Sequence, residues 1–397
     1  MDTGLGVVPP IARMKDDLPT KKDLKAVIPK HCFERSNFKS LSLVLRDGLI
    51  IGALGTAAWF LPTEGLSPLD WFAWSLYWFF QGTALTGWWV LAHECGHRGF
   101  SASNYINDTV GWVLHSFLLV PYFSWQYSHA KHHAKTNHLL DGESHNPPSN
   151  TKNRFEKQFN AWLEFMGDDA FAFYQVVAHL VFGWPMYLFM NATGARRTLS
   201  GKRITSVHDH FRPGSKLFPE DGRWNWRVAA STGGCLLTLA ALYSAGSEIG
   251  HVKVSMLYWP AYLWCNAWLV LYTWLQHTAV DLPQFGEDEW TWMRGALCTI
   301  DRPYTLFDNI HHHIGSTHVC HHLFSNLPCY HAQEATAALK AYLEPKGLYN
   351  FDGRNFVSVM WEVSLKCHYV EGIQGVQFFK HLSLRDIRKR KQDKKCT

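Results

Sequence analysis

Eight histidines fall into three short clusters whose spacing suits metal ligation. The last cluster is Thr317-His318-Val319-Cys320-His321-His322-Leu323-Phe324, an H-x-x-H-H. A second H-x-x-H-H, His129-Ala130-Lys131-His132-His133, and an H-x-x-x-H, His93-Glu94-Cys95-Gly96-His97, precede it. On a helix, residues three and four apart share a face, so each cluster can aim two or three imidazoles at one point. Neutral imidazole is the commonest protein ligand for borderline transition metals. Eight of them exceed what a single four-coordinate zinc uses. Two metals at roughly four to five ligands each fit the count better. A histidine-dominated site with open positions favours iron and dioxygen activation, while the spacing alone leaves zinc, copper and manganese open. One such histidine by itself is more often a surface or core residue. Three clusters, each beside an apolar stretch, carry the metal reading.

The elements that must position these clusters are membrane helices. Residues 69–92 hold a single charged residue, Asp70, and exceed the ~20 residues a bilayer core requires. Their end touches the first cluster, which therefore lies at the membrane boundary. Residues 41–62 form an imperfect partner span, with Arg46 and Asp47 one turn in, at the interface. Pro62-Thr63-Glu64-Gly65 and Ser67-Pro68 turn the chain between the two. Residues 228–245 and 254–276 are two further spans, split by a tight loop at 246–253. Residues 110–125 and 170–190 are apolar but carry Pro121 and Pro185. All three clusters must meet on one side, so an even number of crossings separates each from the next. That parity assigns 110–125 and 170–190 to the interface rather than to crossings.

The sequence thus predicts an all-α integral membrane protein. It has four transmembrane helices, two interfacial helices and a cytosolic helical cap holding a histidine-rich dimetal site. Residues 1–40 read as a loosely held cytosolic arm with a short helix, 41–343 as the membrane domain, and 344–397 as a cytosolic segment with a basic tail.

Composition agrees with this assignment. The 397 residues include 19 Trp, 25 Phe and 15 Tyr, and long polar connectors dilute the apolar runs to a mean hydropathy of −0.16. Nine scattered cysteines without a C-x-x-C read as reduced thiols. A net charge of +5 concentrates in the tail, where Lys380, Arg385, Arg388, Lys389, Arg390, Lys391, Lys394 and Lys395 outnumber Asp386 and Asp393. Basic flanks predict that both termini face the cytosol, and no nucleic-acid partner is expected. No apolar h-region opens the chain, and Asp16, Asp17 and Asp23 argue against an organelle transit peptide. Lys394-Lys395-Cys396-Thr397 matches a K-K-x-x retrieval signal, which predicts the endoplasmic reticulum membrane.

Beyond the clusters, 108–125 (DTVGWVLHSFLLVPYFSW) and 317–336 (THVCHHLFSNLPCYHAQEAT) carry a clear resemblance. From about residue 21 to about 343 the chain resembles the membrane-bound fatty acyl desaturases with three histidine boxes, and within them the methyl-end acyl-lipid Δ12 and ω3 enzymes. The resemblance implies a di-iron centre that uses O2 and two electrons to remove two hydrogens from a methylene pair of a lipid-linked acyl chain. It carries His93, His97, His129, His132, His133, His318, His321 and His322 over as iron ligands. His277, at the end of the last span, and His312, six residues before the third box, match further ligand positions; His311 and His313 leave the latter assignment open by one place. Glu94 points off the His93/His97 face, which favours a supporting hydrogen bond over ligation. Aromatic residues in 71–89 and 258–274 line an acyl tunnel or form a membrane belt.

The block at 108–125 and Ala92 favour the Δ12 branch, oleate to linoleate. DNIHHHIG at 308–315 and Glu143-Ser144 favour ω3. The chain has neither an H-P-G-G haem motif nor a Gly-rich dinucleotide fingerprint. Electrons are therefore expected from cytochrome b5 and an NADH-dependent reductase in trans, docking near Lys131, Lys135, Arg196 and Arg197. Homo-oligomerisation is compatible with all of this. Two rivals are a histidine-box hydroxylase of sterols, alkanes or carotenoids, which would lack the 108–125 block, and a metal transporter. A transporter needs polar residues within its spans, whereas these histidines gather at span ends.

Overall fold

The computed structural model describes residues 9–14, 17–149, 153–195, 197–198, 201–204 and 207–393. Lys394, Lys395 and Arg196 lie outside the described residues. In chain order the helices are α1 (Lys21–Val27), α2 (Asn37–Trp59), α3 (Pro68–Gly96), α4 (Asn104–Phe117) and α5 (Tyr122–Ala134). Then come α6 (Asn153–Met166), α7 (Asp168–Met190), α8 (Gly222–Ile249), α9 (His251–His277) and α10 (Trp292–Leu297). The last are α11 (Leu306–Ile310), α12 (His318–Leu323), α13 (Cys329–Leu343), α14 (Phe356–Lys366) and α15 (Leu384–Asp393). Gln284–Phe285 and Val376–Gln377 make a two-residue antiparallel pair.

Helix α3 is the axis of the molecule. Ser67 caps it in a reciprocal box: the Asp70 amide donates to Ser67 Oγ, and Asp70 Oδ2 accepts from the Ser67 amide, with Pro68 at the first helical position. Its 29 residues rise about 43 Å. That exceeds the ~30 Å thickness of a hydrocarbon core. Helix α9 packs along α3, and the approach is set by Gly82. A Cβ there would come within 2.3 Å of Trp264 Cβ and 2.6 Å of the Ala261 carbonyl. A second close approach is at Gly87, where a Cβ would meet Asp47 Oδ2 and the Ile310 carbonyl at 2.8 Å each.

Among the described residues, three helices are both long and apolar enough to cross a membrane: Asn37–Trp59, Asp168–Met190 and Gly222–Ile249. The expected spans at 69–92 and 254–276 lie within the long helices α3 and α9, whose inward faces are rich in Trp, Tyr, Thr and Gln. The segment 170–190, expected at the interface, satisfies length and apolarity as α7. Composition therefore does not assign it to the interface; only the crossing parity does.

Local geometry departs from expectation in three places. Residues 110–125 are not one segment, because the chain breaks at 118–121 and restarts as α5 behind Pro121. The expected loop at 246–253 shrinks to one non-helical residue, Gly250, with φ 95°. The arm is also not loose. Leu24, Ile28 and Cys32 are buried against Leu297, Val319, Leu323, Ala335 and Leu339, because the third box and α13 leave an apolar face that the arm covers. At the other end of the chain, Val359 and Val363 of α14 bury themselves against Val176, Trp268 and Leu271, and the Ser364 hydroxyl donates to the Ala172 carbonyl at 2.7 Å.

Candidate metal centre

Four helix ends deliver the histidines. Helix α3 carries His93 in its last turn, with His97 as its cap. Helix α5 presents His129, His132 and His133, α9 ends on His277, and the short α12 holds His318, His321 and His322. Two converging sets result. In the first, one ring nitrogen each of His93, His97, His129, His133 and His321 lies within 4.8 Å of all the others. In the second, His132, His277 and His322 meet the same condition, and His318 Nε2 stands 3.0 Å from His277 Nε2. The sets abut: the His133 and His322 rings stack with centroids 4.1 Å apart.

The rings are oriented by their outer nitrogens. His132 Nδ1 donates to the Glu143 carbonyl at 2.6 Å, which leaves its Nε2 as a bare lone pair 3.1 Å from His277 Nε2. Thr136 spends its single hydroxyl proton on the His132 carbonyl at 2.8 Å. Its oxygen, 3.1 Å from His322 Nδ1, can therefore only accept from that ring. Aromatic walls keep the first set dry: Trp125 stacks on His129 at 4.5 Å and Trp89 on His93 at 5.6 Å.

Burial fixes the charge state. It pushes His132 down to about 4, against the opposing Glu143 bond, and His318 down to about 3, helped by His132. Burial and then neighbouring imidazoles hold His129, His133, His321 and His322 well below the ordinary imidazole range. These rings are neutral at pH 7, the form that ligates metal. Among the described residues, buried His97 Nε2 and His322 Nε2 have no hydrogen-bond partner. An orphaned buried lone pair is costly, and a cation at the convergence point would satisfy it. The residues present fit a pair of metal ions with nitrogen-rich coordination.

The structure does not bring His312 to this site. Its Nε2 lies 2.8 Å from Asp47 Oδ2, with both side chains buried. His311 bonds the Tyr272 hydroxyl and the Thr83 carbonyl, and His313 bonds Asn309. The physical reason is that the chain between α11 and α12 turns through positive φ at His312 and His313, which leaves His312 on α2, His311 on α3 and His313 back on α11. Glu94 takes the supporting role: its Oε2 accepts the Cys329 amide at 3.0 Å, tying the first box to α13.

A cavity of about 460 Å³ adjoins the site. It begins at Trp89, Trp125, His129 and His132 and runs between α7 and α9 past Gly183, Leu269 and Val270 towards Tyr174 and Phe182. Its lining is mostly apolar and includes His129 and His132 of the histidine sets. Comparison with known proteins now bears on it directly. The model for the fatty acid desaturase family matches residues 69–353, well over half of the chain. This protein belongs to the fatty acid desaturase family. It is therefore an oxidoreductase of acyl chains. Its relatives include a Delta(12) fatty acid desaturase of Mortierella alpina, 40% identical over 91% of this chain and 90% of the relative. A Delta(12)-fatty-acid desaturase of Arabidopsis thaliana is 39% identical over 88% and 87%. An oleoyl-12-hydroxylase of Ricinus communis is 38% identical over 90% and 88%.

Several residues that shape this desaturase site give no sequence signal of a place at the metal centre; in the sequence Glu143-Ser144 reads only as a mark of the ω3 branch. Thr136 could have been suspected only from its place four residues after His132. Glu143, Ser144, His145 and His179 lie off any cluster spacing, and their roles come from long-range packing. His145 Nε2 meets Thr273 Oγ1 at 2.9 Å inside the cavity. The basic residues proposed for docking are engaged within the chain: Lys131 pairs with buried Glu143 at 3.4 Å, Lys135 sits over Trp290 at 4.4 Å, and Arg197 pairs with Glu287 at 3.1 Å.

Proposed function

We propose that this chain is a Δ12 acyl-lipid desaturase of the endoplasmic reticulum membrane, converting lipid-linked oleate to linoleate. The observation that carries the reading is the apolar cavity ending on two converging histidine sets, in a chain whose relatives are named Delta(12) desaturases at 38–40% identity. His93, His97, His129, His133 and His321 would hold one iron ion, and His132, His277, His318 and His322 the other. Two iron ions bound there supply, with O2 and two electrons, the oxidising power to break unactivated C–H bonds. The overall balance is one CH2–CH2 pair, O2, two electrons and two protons giving one cis CH=CH and two waters. The chain's own residues do the rest. Leu269, Val270 and Gly183 confine the acyl chain, and Trp89 and Trp125 exclude water from the reacting methylenes. The Glu143 carbonyl and Thr136 hold the outer nitrogens of His132 and His322.

The electrons come from cytochrome b5 and its NADH-dependent reductase, docking on the cytosolic face. The four-span topology, with both termini and the histidine boxes cytosolic, belongs to the same proposal. Expression in a host that makes oleate but no linoleate tests it: linoleate should appear in phospholipid. A Δ15 product formed only from supplied linoleate would favour the ω3 branch instead. The Ricinus relative's name gives one specific reason to look for a second product. A 12-hydroxy acyl chain in place of the double bond would replace desaturation by hydroxylation.

A further inference from the structure

Outside the histidine centre, a second group of metal-binding side chains joins the two ends of the sequence. His31 and Cys32 are neighbours on the 3-10 turn Lys30–Phe33. His331 and Glu334 stand three apart on the first turns of α13 and so share a face. One donor atom from each of the four lies within 4.8 Å of all the others. His31 Nε2 is 2.9 Å from Glu334 Oε2 and 3.8 Å from Cys32 Sγ, and the His31 and His331 rings meet edge to face at 5.5 Å. Cys32 is wholly buried, while the His31 and Glu334 side chains are about half exposed.

We propose that His31, Cys32, His331 and Glu334 form a structural zinc site that clamps the amino-terminal arm to α13. The donor set is the argument. A thiol and two imidazoles exclude calcium and magnesium, which take oxygen ligands. Sulfur, nitrogen and carboxylate oxygen together are what zinc accepts, at roughly 2.0–2.3 Å. Tetrahedral bonds of that length put donor atoms roughly 3.3–3.8 Å apart, so the present spread closes by small side-chain rotations. Cys32, His31 and Glu334 already meet through hydrogen bonds, and a cation at their common centre would draw His331 into the same set. Four protein donors leave no open position, which marks a structural rather than a catalytic site. The site closes a loop of 303 residues between His31 and Glu334. It pins the arm over the core that carries Val319, Cys320 and Leu323 of the third box.

The test uses the full-length protein purified in detergent, with zinc and iron measured per chain by mass spectrometry. Cys32→Ser and Glu334→Gln should each lower zinc by one equivalent and leave the metal at the histidine centre unchanged. Zinc content equal to the unaltered protein in Cys32→Ser overturns the proposal. If a substitution strips both metals by unfolding the cap, cobalt exchange into the unaltered protein decides the matter. Neither converging histidine set includes a cysteine, and among the described residues Cys32 is the one cysteine in a candidate metal group. A thiolate-to-cobalt charge-transfer absorption in the near ultraviolet that Cys32→Ser abolishes therefore places the ion on Cys32. Cobalt uptake without that absorption sinks the site. Neither outcome depends on which acyl lipid the enzyme uses.

Discussion

Asp47 Oδ2 and His312 Nε2 stand 2.8 Å apart, two buried side chains joined across 265 residues of sequence. Asp47 also takes a hydrogen bond from Arg46 at 2.7 Å through its other oxygen. The carboxylate that makes the first span look imperfect thus anchors the loop before the third box. Removing Asp47 strips buried His312 of this partner, while removing His312 leaves Asp47 only its bonds from Arg46; losing a buried hydrogen bond to a charged group costs about 1.5–3 kcal/mol. Asp47→Ala and His312→Ala should each lower the melting temperature in detergent while the iron content per folded chain stays that of the unaltered enzyme. An iron lost from His312→Ala at unchanged melting temperature would make His312 a ligand after all.

The nine converging histidines behave differently. Alanine at His93, His97, His129, His132, His133, His318, His321, His322 or His277 should abolish desaturation and lower bound iron, with the protein still in the membrane fraction. His277 is the informative member. Its Nε2 lies 3.1 Å from His132 and 3.0 Å from His318, so His277→Ala should be as severe as any box substitution. Wild-type activity there would remove it from the ligand set.

Thr136→Val keeps the shape of the side chain and removes the oxygen that accepts from His322 Nδ1. Losing such an outer partner costs about 10–100-fold in metal affinity or activity. Iron titration of the apoprotein, paired with product yield, measures both. Equal affinity in the variant would mean the Thr136 contact does not orient the ring.

How far these features could be read in advance depended on their range. The histidine boxes are legible because helical spacing converts three or four residues of sequence into one shared face. The sorting into two sets is not legible, since His132 and His133 are adjacent yet serve different groups. His312 sits in a run of three histidines, and only the turn at positive φ decides that it faces Asp47. The arm looked loose because its own apolar residues are few. Leu24, Ile28 and Cys32 matter through the surface they cover, which lies some three hundred residues later. Cavity walls on α7 were invisible for the same reason.

Gly183 borders the cavity where a Cβ would lie 3.2 and 3.3 Å from the Val270 methyls. A leucine there must push Val270 aside or enter the acyl space, and overpacking of this kind costs about 1–3 kcal/mol. A cost of that size falling on the bound acyl chain corresponds to roughly 5- to 160-fold in kcat/KM. Gly183→Leu should therefore lose conversion of 18-carbon chains more than of shorter ones when both are supplied. A uniform loss across chain lengths would detach Gly183 from chain fitting.

The last prediction concerns α7, where composition and tertiary contacts point in different directions. Its 23 residues are apolar enough to cross, yet its start is tied to the C-terminal segment and its far end to residues that follow the second histidine box. At the start, Asp168 Oδ1 accepts the Leu384 amide at 2.9 Å, and the Ala172 carbonyl accepts from Ser364. Past the end, the Ala195 amide donates to Glu143 Oε2 at 3.1 Å, and the Asn146 amide donates to the Thr193 carbonyl at 3.1 Å. Glu143 and Asn146 follow the second box closely, and the Glu143 carbonyl holds His132 itself. A helix that crossed would carry 191–195 to the opposite face and break those bonds. The expected topology therefore keeps α7 along the cytosolic interface, with α2, α3, α8 and α9 as the crossings. A glycosylation acceptor on a short linker inserted at Gly201 should stay unmodified. The same linker at Gly65, in the turn between α2 and α3, should acquire a glycan. Modification at Gly201 would make α7 a crossing and put the second and third boxes on opposite faces unless another span were lost.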